Sequence, residues 1–438
     1  MPSALTGLSA VNRAFNARHP GDKPVRQPVH TVYGGGHLFK ADTARRLGDT
    51  ALAALAVYAP NAATLSKIVS LQADAKGVYA RVAEKLEREP VEDFRIDFED
   101  GYGTRPDAEE DGHVQAAARE VAEGMKRGSI PPFIGIRIKP LTEELKERSA
   151  RTLRIFVTTL LRSAGGLPAN FVVTLPKIVV AEQVSAFADL LTRLEKEVGL
   201  GAGMLRFEVM IETPQIVLGA DGRSALPRVL EAAQGRLTAA HFGTYDYTAG
   251  LGITAAYQAM RHPGCDFAKH MMSVAFAGTG IWLSDGSTAV LPVALHRAAK
   301  GKTLSPPQVK ANRASVHAAW KLHHDDVRHS LAGGFYQGWD LHPAQLVTRY
   351  AAVFGFFMEG IDAAAARLQN FTQKAFQATL VGDVFDDAAT GQGLLNYFLR
   401  GINSGAISEN EAALRSGLTV EEIRGRSFVA ILKGRASE

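Results

Sequence analysis

Two hydrophobic rhythms alternate along the chain. Short runs carry an apolar residue at every second position, as in RFEVMIE (206–212), where Phe207, Val209 and Ile211 interleave with Glu208, Met210 and Glu212. That period belongs to a strand with two unlike faces. Longer runs repeat at three and four residues: Leu153, Phe156, Val157, Leu160 and Leu161 before Gly165, and Val184, Phe187, Leu190, Leu191, Leu194 and Val198 before Gly199. Each predicts an amphipathic helix stopped by glycine. The strand-like runs are TVYGGGHLF (31–39), DFRIDFEDGYG (93–103), PFIGIRIKP (132–140), NFVVTLPKI (170–178), RFEVMIE, LTAAHFGTYD (237–246), TGIWLSDG (279–286) and GFYQGWDLHP (334–343). Helices are expected over 41–58 and 108–125 and after most of the other strands. Eight strands, most followed by a helix, predict parallel pairing and the closed (β/α)8 barrel of the α/β class, the TIM barrel. An open doubly wound sheet competes, but no G-x-G-x-x-G follows a first strand.

This pattern divides the chain into an irregular N-terminal arm (1–30), a barrel (31–360) and a C-terminal helical extension (361–438). PAQLVTRYAAVFGFFMEGID and AAAARLQNFTQKAFQATL read as two consecutive helices and GQGLLNYFLRGINSG as a third. Their apolar faces need a partner, either this chain or a second copy. The stretch 287–333 is a large insertion between the last two strands.

Composition narrows the class. With 438 residues, 46% of them hydrophobic, the chain is long and apolar enough for a packed globular protein. Its 49 basic and 45 acidic residues leave a net charge of +4 with no block of one sign, which argues against nucleic acid as a partner. The single cysteine, Cys265, excludes an intrachain disulfide and a cysteine-based zinc site and fits a reducing, cytoplasmic setting. No uncharged apolar run approaches a membrane span, and the first residues lack the apolar core of a leader, so no membrane partner is expected.

In a TIM barrel the chemistry sits at the C-terminal ends of the strands. Those ends carry Asp97, Glu99 and Asp100, then Arg137 and Lys139, Lys177, Glu212, Asp246, Asp285, and Asp340 with His342. Each alone is also what a strand end facing water would show. Glu212 and Asp246, however, end consecutive strands and can together hold one Mg2+, or Mn2+ in its place, since such an ion needs only one or two carboxylates besides waters and substrate oxygens. Arg137 can clamp a substrate carboxylate or carbonyl oxygen. Metal and arginine together favour an enolate, hence carbon-carbon chemistry on an oxo acid.

The ordered set IDFED (96–100), IRIKP (136–140), LPK (175–177), MIETP (210–214), HFGTYDYTAGLG (241–252) and GWDLHPAQ (338–345) resembles the HpcH/HpaI aldolase and citrate lyase β-subunit family. The resemblance implies an oligomeric TIM barrel, a trimer or hexamer, that cleaves or forms carbon-carbon bonds in oxo acids or acyl-CoA thioesters; malate synthases belong to the same superfamily. It implies Mg2+ on Glu212 and Asp246, Arg137 on substrate oxygens, and Asp97, Glu99 and Asp100 beside the metal and its waters. Proton transfer is expected from Asp97, Asp100 or a metal-bound water, and substrate contacts from Arg137, Glu99 and Lys139. Two departures matter. The family's R-x-N reads Arg137-Ile138-Lys139, and Asp100 stands where the aldolase branch has histidine, which favours the citrate-lyase or malyl-CoA branch.

The expectation is a Mg2+-dependent carbon-carbon lyase acting on a small oxo acid or a CoA thioester, with no organic cofactor evident. Condensation of an acyl-CoA with glyoxylate is one alternative; a non-catalytic metabolite-binding or scaffolding barrel is another. Three further motifs have two readings each. HHDDVRH (323–329) is a metal cluster or a solvated helix face. GGGH (34–37), with His37, is an anion cradle or a tight turn. Lys177 is a Schiff-base lysine or a salt-bridge partner of a strand-end acid.

Overall fold

The computed structural model of the protein describes residues 5, 7–21, 23, 25–72, 74–373, 379–381, 384–386 and 388–435. Eight strands, β1 (His30–Gly35), β2 (Asp93–Asp97), β3 (Phe133–Arg137), β4 (Phe171–Leu175), β5 (Arg206–Ile211), β6 (Leu237–Phe242), β7 (Trp282–Ser287) and β8 (Gln337–Asp340), close into a barrel in chain order. The closing pair, β1 with β8, is parallel like the others. Register sets Gly35 opposite Asp97, Asp97 opposite Arg137, and Ile211 opposite Phe242.

The two faces of each strand explain the alternation. Ile96, Ile136, Val173, Phe207, Val209, Ile211 and Phe242 are buried in one core with the apolar faces of the surrounding helices. The interleaved polar residues point into the barrel and pair with one another. Arg95 Nε and Nη2 donate to the two oxygens of Glu208 at 2.7 and 2.8 Å and Nη1 to Asp93; His241 Nε2 lies 3.1 Å from Glu208, and Trp339 Nε1 donates to His241 Nδ1 at 3.2 Å. Burial demands this pairing, since deleting one member strands a charge at about 3–5 kcal/mol.

Helices Asp107–Arg127, Lys146–Ala164 and Ala181–Val198 fill the connections after β2, β3 and β4, the last two capped by Gly165 (φ 74°) and Gly199 (φ 77°) in the left-handed region. Several elements differ from expectation. The arm contains a helix, Leu8–Arg18, with no buried residue. The β1–β2 connection holds three helices, Thr43–Tyr58, Ala62–Val69 and Ala75–Arg88, the second capped by the Asn61 side chain on the Thr64 N–H. The insertion 287–333 is the β7–β8 crossover and ends in a 27-residue helix, Pro306–Ala332, started by a Ser305–Gln308 capping box.

As far as residue 373 the two helices expected after β8 are one of 29 residues, Gln345–Gln373, which runs through residue 360; residues 374–378 of the second lie outside the described residues. Its glycines serve contact rather than termination: a Cβ on Gly360 would stand 2.8 Å from the Tyr397 hydroxyl and one on Gly355 2.9 Å from Leu71. The extension continues with an antiparallel hairpin, Thr379–Val381 and Val384–Asp386, and helices Ala388–Asn403, Glu409–Ser416, Val420–Arg424 and Phe428–Arg435. Leu368 packs with Leu395, Phe398, Leu418 and Phe428 in a second core, so these faces are covered within the chain. The extension also straps the arm under the barrel. Arg400 Nη1 donates to Gln27 Oε1 at 2.7 Å, Arg426 donates to the Lys23 carbonyl, and Gln27 Nε2 reaches Gln337 at 3.2 Å. Among the described residues no single helix is long and apolar enough to cross a membrane.

Candidate functional site

The polar strand ends divide into two groups by the direction they face. Asp285 turns outward, its carboxylate taken by Lys269 Nζ at 3.0 Å and the Ser330 hydroxyl at 2.6 Å. Asp340 also turns outward, to His323 at 2.9 Å, His30 at 3.2 Å and Arg349 at 3.0 Å. Neither joins the barrel mouth. Lys139 leaves it as well: β3 ends at Arg137, the alternation ends with it, and Lys139 Nζ binds the Phe98 carbonyl at 2.6 Å and buried Glu110 at 2.7 Å.

Asp97, Glu99, Asp100, Arg137, Lys177, Glu212 and Asp246 do come together. Asp97 is fully engaged. It accepts from Arg137 Nε at 2.7 Å and from Nη2, and from the Glu99 and Gly101 N–H groups at 3.0 and 2.7 Å, because the chain after β2 folds back over it. That turn needs a bare Gly101, where a Cβ would lie 2.6 Å from Asp97 Oδ2. Arg137 is thereby fixed in one orientation, with Nη1 3.1 Å from Glu99 and its guanidinium over the rings of Tyr33 (4.8 Å) and Trp339 (5.9 Å).

Lys177 sits at a positive φ of 50°, unusual for a residue with a side chain. This backbone turn aims its N–H at Glu212 Oε1 (2.7 Å), while its ammonium binds Glu99 and Asp100 (2.9 Å) and lies 3.6 Å from Asp246. The salt-bridge reading of Lys177 therefore holds, with three acids rather than one. Burial raises the Glu99 carboxyl above its ordinary value. Burial also acts upward on Asp100, but its hydrogen bond to Lys177 and that charge hold it below the usual range.

Glu212 follows β5 and is 2% exposed; Asp246 lies in the first turn of the helix Thr244–Gly250 after β6, with its side chain 41% exposed. Burial, with the Asp246 charge second, pushes the Glu212 carboxyl up to about 8. Among the described residues Glu212 Oε2 accepts no hydrogen bond. Gly243 leaves room for this carboxylate: a Cβ there would lie 2.5 Å from Glu212 Cβ. Two neighbouring carboxylates, one buried and short of compensation, are a donor set that suits a hard cation with oxygen ligands. Among the described residues no group of three or more His, Cys, Asp or Glu could hold a metal, so such an ion would draw its remaining ligands from water and substrate.

Tyr33 and Trp339 were not singled out from sequence, although both occupy inward positions of their strands. The Tyr33 hydroxyl is buried without a hydrogen-bond partner among the described residues, beneath Arg137. His37 packs against Tyr102 at 5.5 Å, whose hydroxyl meets His113 Nδ1 at 2.8 Å. HHDDVRH is dispersed into structural contacts: His323 to Asp340, Asp325 to Lys321, Asp326 to Arg261 and His329 to Asp266.

Solved structures share the architecture. A citrate lyase from Burkholderia xenovorans LB400 is 19% identical with a TM-score of 0.55, over 91% of this chain and 98% of that one. The CitE protein of Mycobacterium tuberculosis, in complex with magnesium, acetoacetate and coenzyme A, is 14% identical with a TM-score of 0.50, over 87% and 100%. A Haloferax volcanii malate synthase magnesium/glyoxylate complex is 14% identical with a TM-score of 0.48, over 92% and 98%. At such identities the likeness to the citrate lyase and the CitE protein is one of fold. No curated protein matches the chain. Residues 8–431 match a family model, and the chain belongs to that family, described as a domain of unknown function, DUF6986.

Proposed function

We propose that the barrel mouth is the active site of a Mg2+-dependent enzyme that breaks or makes a carbon-carbon bond in a small oxo acid or its CoA thioester. The observation that carries this reading is the buried Glu212 carboxylate, beside Asp246 and facing a fixed Arg137. Glu212 and Asp246 would hold the ion, which when bound would supply the positive charge that polarises substrate oxygens.

The remaining work falls to side chains. Arg137 binds a substrate carboxylate or carbonyl oxygen, and its locked orientation means that little reorganisation is needed as negative charge grows there. Asp97 is spent on holding Arg137, so it acts as a positioning residue. Proton exchange then falls to Glu99 and Asp100, which share Lys177 Nζ. With Glu99 raised and Asp100 held low, Glu99 is the more readily protonated of the two. Tyr33 and Trp339 wall the site under Arg137 and exclude water from it. Lys139, tied to Glu110, takes no part in substrate binding. The ligands of the mycobacterial CitE complex, magnesium with acetoacetate and coenzyme A, are of the class this reading calls for.

The test is calorimetric titration of Mg2+ into metal-free protein, alone and with glyoxylate, pyruvate or oxaloacetate, repeated on Glu212→Ala. Binding that depends on Glu212 and tightens with one oxo acid is expected. Mg2+ binding that survives in both Glu212→Ala and Asp246→Ala would overturn the assignment.

A further inference from the structure

The end of the barrel opposite Glu212 holds a cavity of about 530 Å³, within the size range of small-molecule sites. TIM barrels usually fill this end with apolar side chains. Here the deepest lining is the charged layer of Asp93, Arg95 and Glu208, joined by Gln337. Arg95 binds both carboxylates, Thr31 donates to Asp93, and Gln337 bonds Thr31 and Gln27, so the polar groups of the floor are hydrogen-bonded without a ligand. The walls are apolar: Phe133 and Phe171, the first residues of β3 and β4, with Met204 and Trp282. The roof is the arm at Lys23, Val25 and Pro28, held down by Arg400 and Arg426 of the C-terminal extension.

Two cations line the cavity, Lys23 from the arm and Arg206 at the start of β5. Among the described residues neither has an acidic partner, and burial together with the Arg206 charge lowers the Lys23 pKa. A half-buried ammonium facing a like charge is unfavourable, and an anion placed between them relieves it. We propose that this cavity is a second binding site, for a small carboxylate with an aromatic or branched aliphatic body. The carboxylate meets Lys23 and Arg206, and the body lies against Trp282, Phe133 and Phe171. The floor, already hydrogen-bonded and holding two acids against one arginine, keeps the carboxylate at the Lys23 and Arg206 side, and the site owes nothing to the reading of the barrel mouth.

The probes are 3-phenylpropionate and 4-methylpentanoate, with the neutral 3-phenylpropanol as control, titrated into the full chain by calorimetry. Trp282 fluorescence, identified with Trp282→Phe, is the local readout. The carboxylates are expected to bind wild type at least about tenfold more tightly than the alcohol, and to lose about tenfold in the Lys23→Gln/Arg206→Gln variant while the alcohol is unaffected. Glu212→Ala should leave their affinity unchanged. The proposal is overturned if no carboxylate binds below about 10 mM, if wild type does not distinguish carboxylate from alcohol, or if binding is lost in Glu212→Ala and therefore belongs to the other end. The carboxylate-against-alcohol comparison on wild type stands even if the double variant fails to fold.

Discussion

Gly243→Ala isolates the placement of Glu212 from its chemistry. Gly243 has φ −105° and ψ 96°, a conformation open to any residue, so the substitution adds a methyl group and no backbone strain. That methyl would stand 2.5 Å from Glu212 Cβ and 3.2 Å from Cδ, and closer still to Oε2. Carbon pairs settle at about 3.5–4.0 Å, so the side chain must retreat by about 1 Å. It cannot retreat freely, because the Lys177 N–H holds Oε1 at 2.7 Å. Overpacking of this kind costs about 1–3 kcal/mol, a fall of a few degrees in Tm, with the fold kept. A 1 Å misplacement is enough to cost on the order of a hundredfold in turnover, and Mg2+ affinity should drop at least about tenfold. Calorimetry with Mg2+ and thermal denaturation read both effects. Gly112→Ala is the control, since a Cβ there meets nothing within 4 Å; it should leave Mg2+ binding alone. A Gly243→Ala protein with wild-type Mg2+ affinity and Tm would refute the reasoning, because Glu212 would then not rest where its carboxylate is said to be fixed.

Glu212 also predicts a pH dependence. Its folded pKa of about 8 lies above the ordinary 4.5, so its contribution to stability is full below about 4.5 and is lost as the pH rises through 8. Metal-free Glu212→Gln lacks this slope, and denaturant unfolding at pH 5 and 8.5 should show wild type losing ground to the variant at the higher pH; parallel behaviour would contradict the burial of an uncompensated carboxyl. Asp97→Ala removes the anchor of a buried guanidinium and should destabilise by about 3–5 kcal/mol in urea unfolding, so a loss under about 1 kcal/mol would mean that Arg137 is held by other groups. Lys177→Met deletes the cation that competes for Asp246 and Glu99, and should tighten Mg2+ binding several-fold by calorimetry; weaker binding would assign Lys177 to supporting the metal instead.

The strands were legible because their two faces differ in polarity, and all eight lie where the alternation puts them. What alternation leaves open is which face is inside. In RFEVMIE the acids point into the barrel and the apolar residues out, under the helices, an assignment that only closure of the sheet decides. The same ambiguity explains the misplaced strand ends. Asp340 sits one position past inward-facing Trp339 and so turns to His323 and Arg349, while Lys139 lies beyond the end of β3, where parity has no meaning. The two helices read after β8 are one, and its Gly355 and Gly360, which in sequence say nothing of their neighbours, make contacts with Leu71 and Tyr397 that require the absence of a side chain. The role of Gly243 was hidden for a related reason: a glycine in sequence does not say whose side chain it makes room for.

The strap beneath the barrel has a consequence for how the chain is made. Gln27 meets Arg400 and Lys23 meets Arg426 across separations of 373 and 403 residues. During synthesis from the N-terminus, these two contacts of the arm must therefore wait until residues 400 and 426 have left the ribosome. The barrel can close once β8 has emerged, but the strap across its underside forms only after the helices carrying Arg400 and Arg426 have followed. Fastening of the arm to the extension is thus an event of long loop closure, slow by its topology.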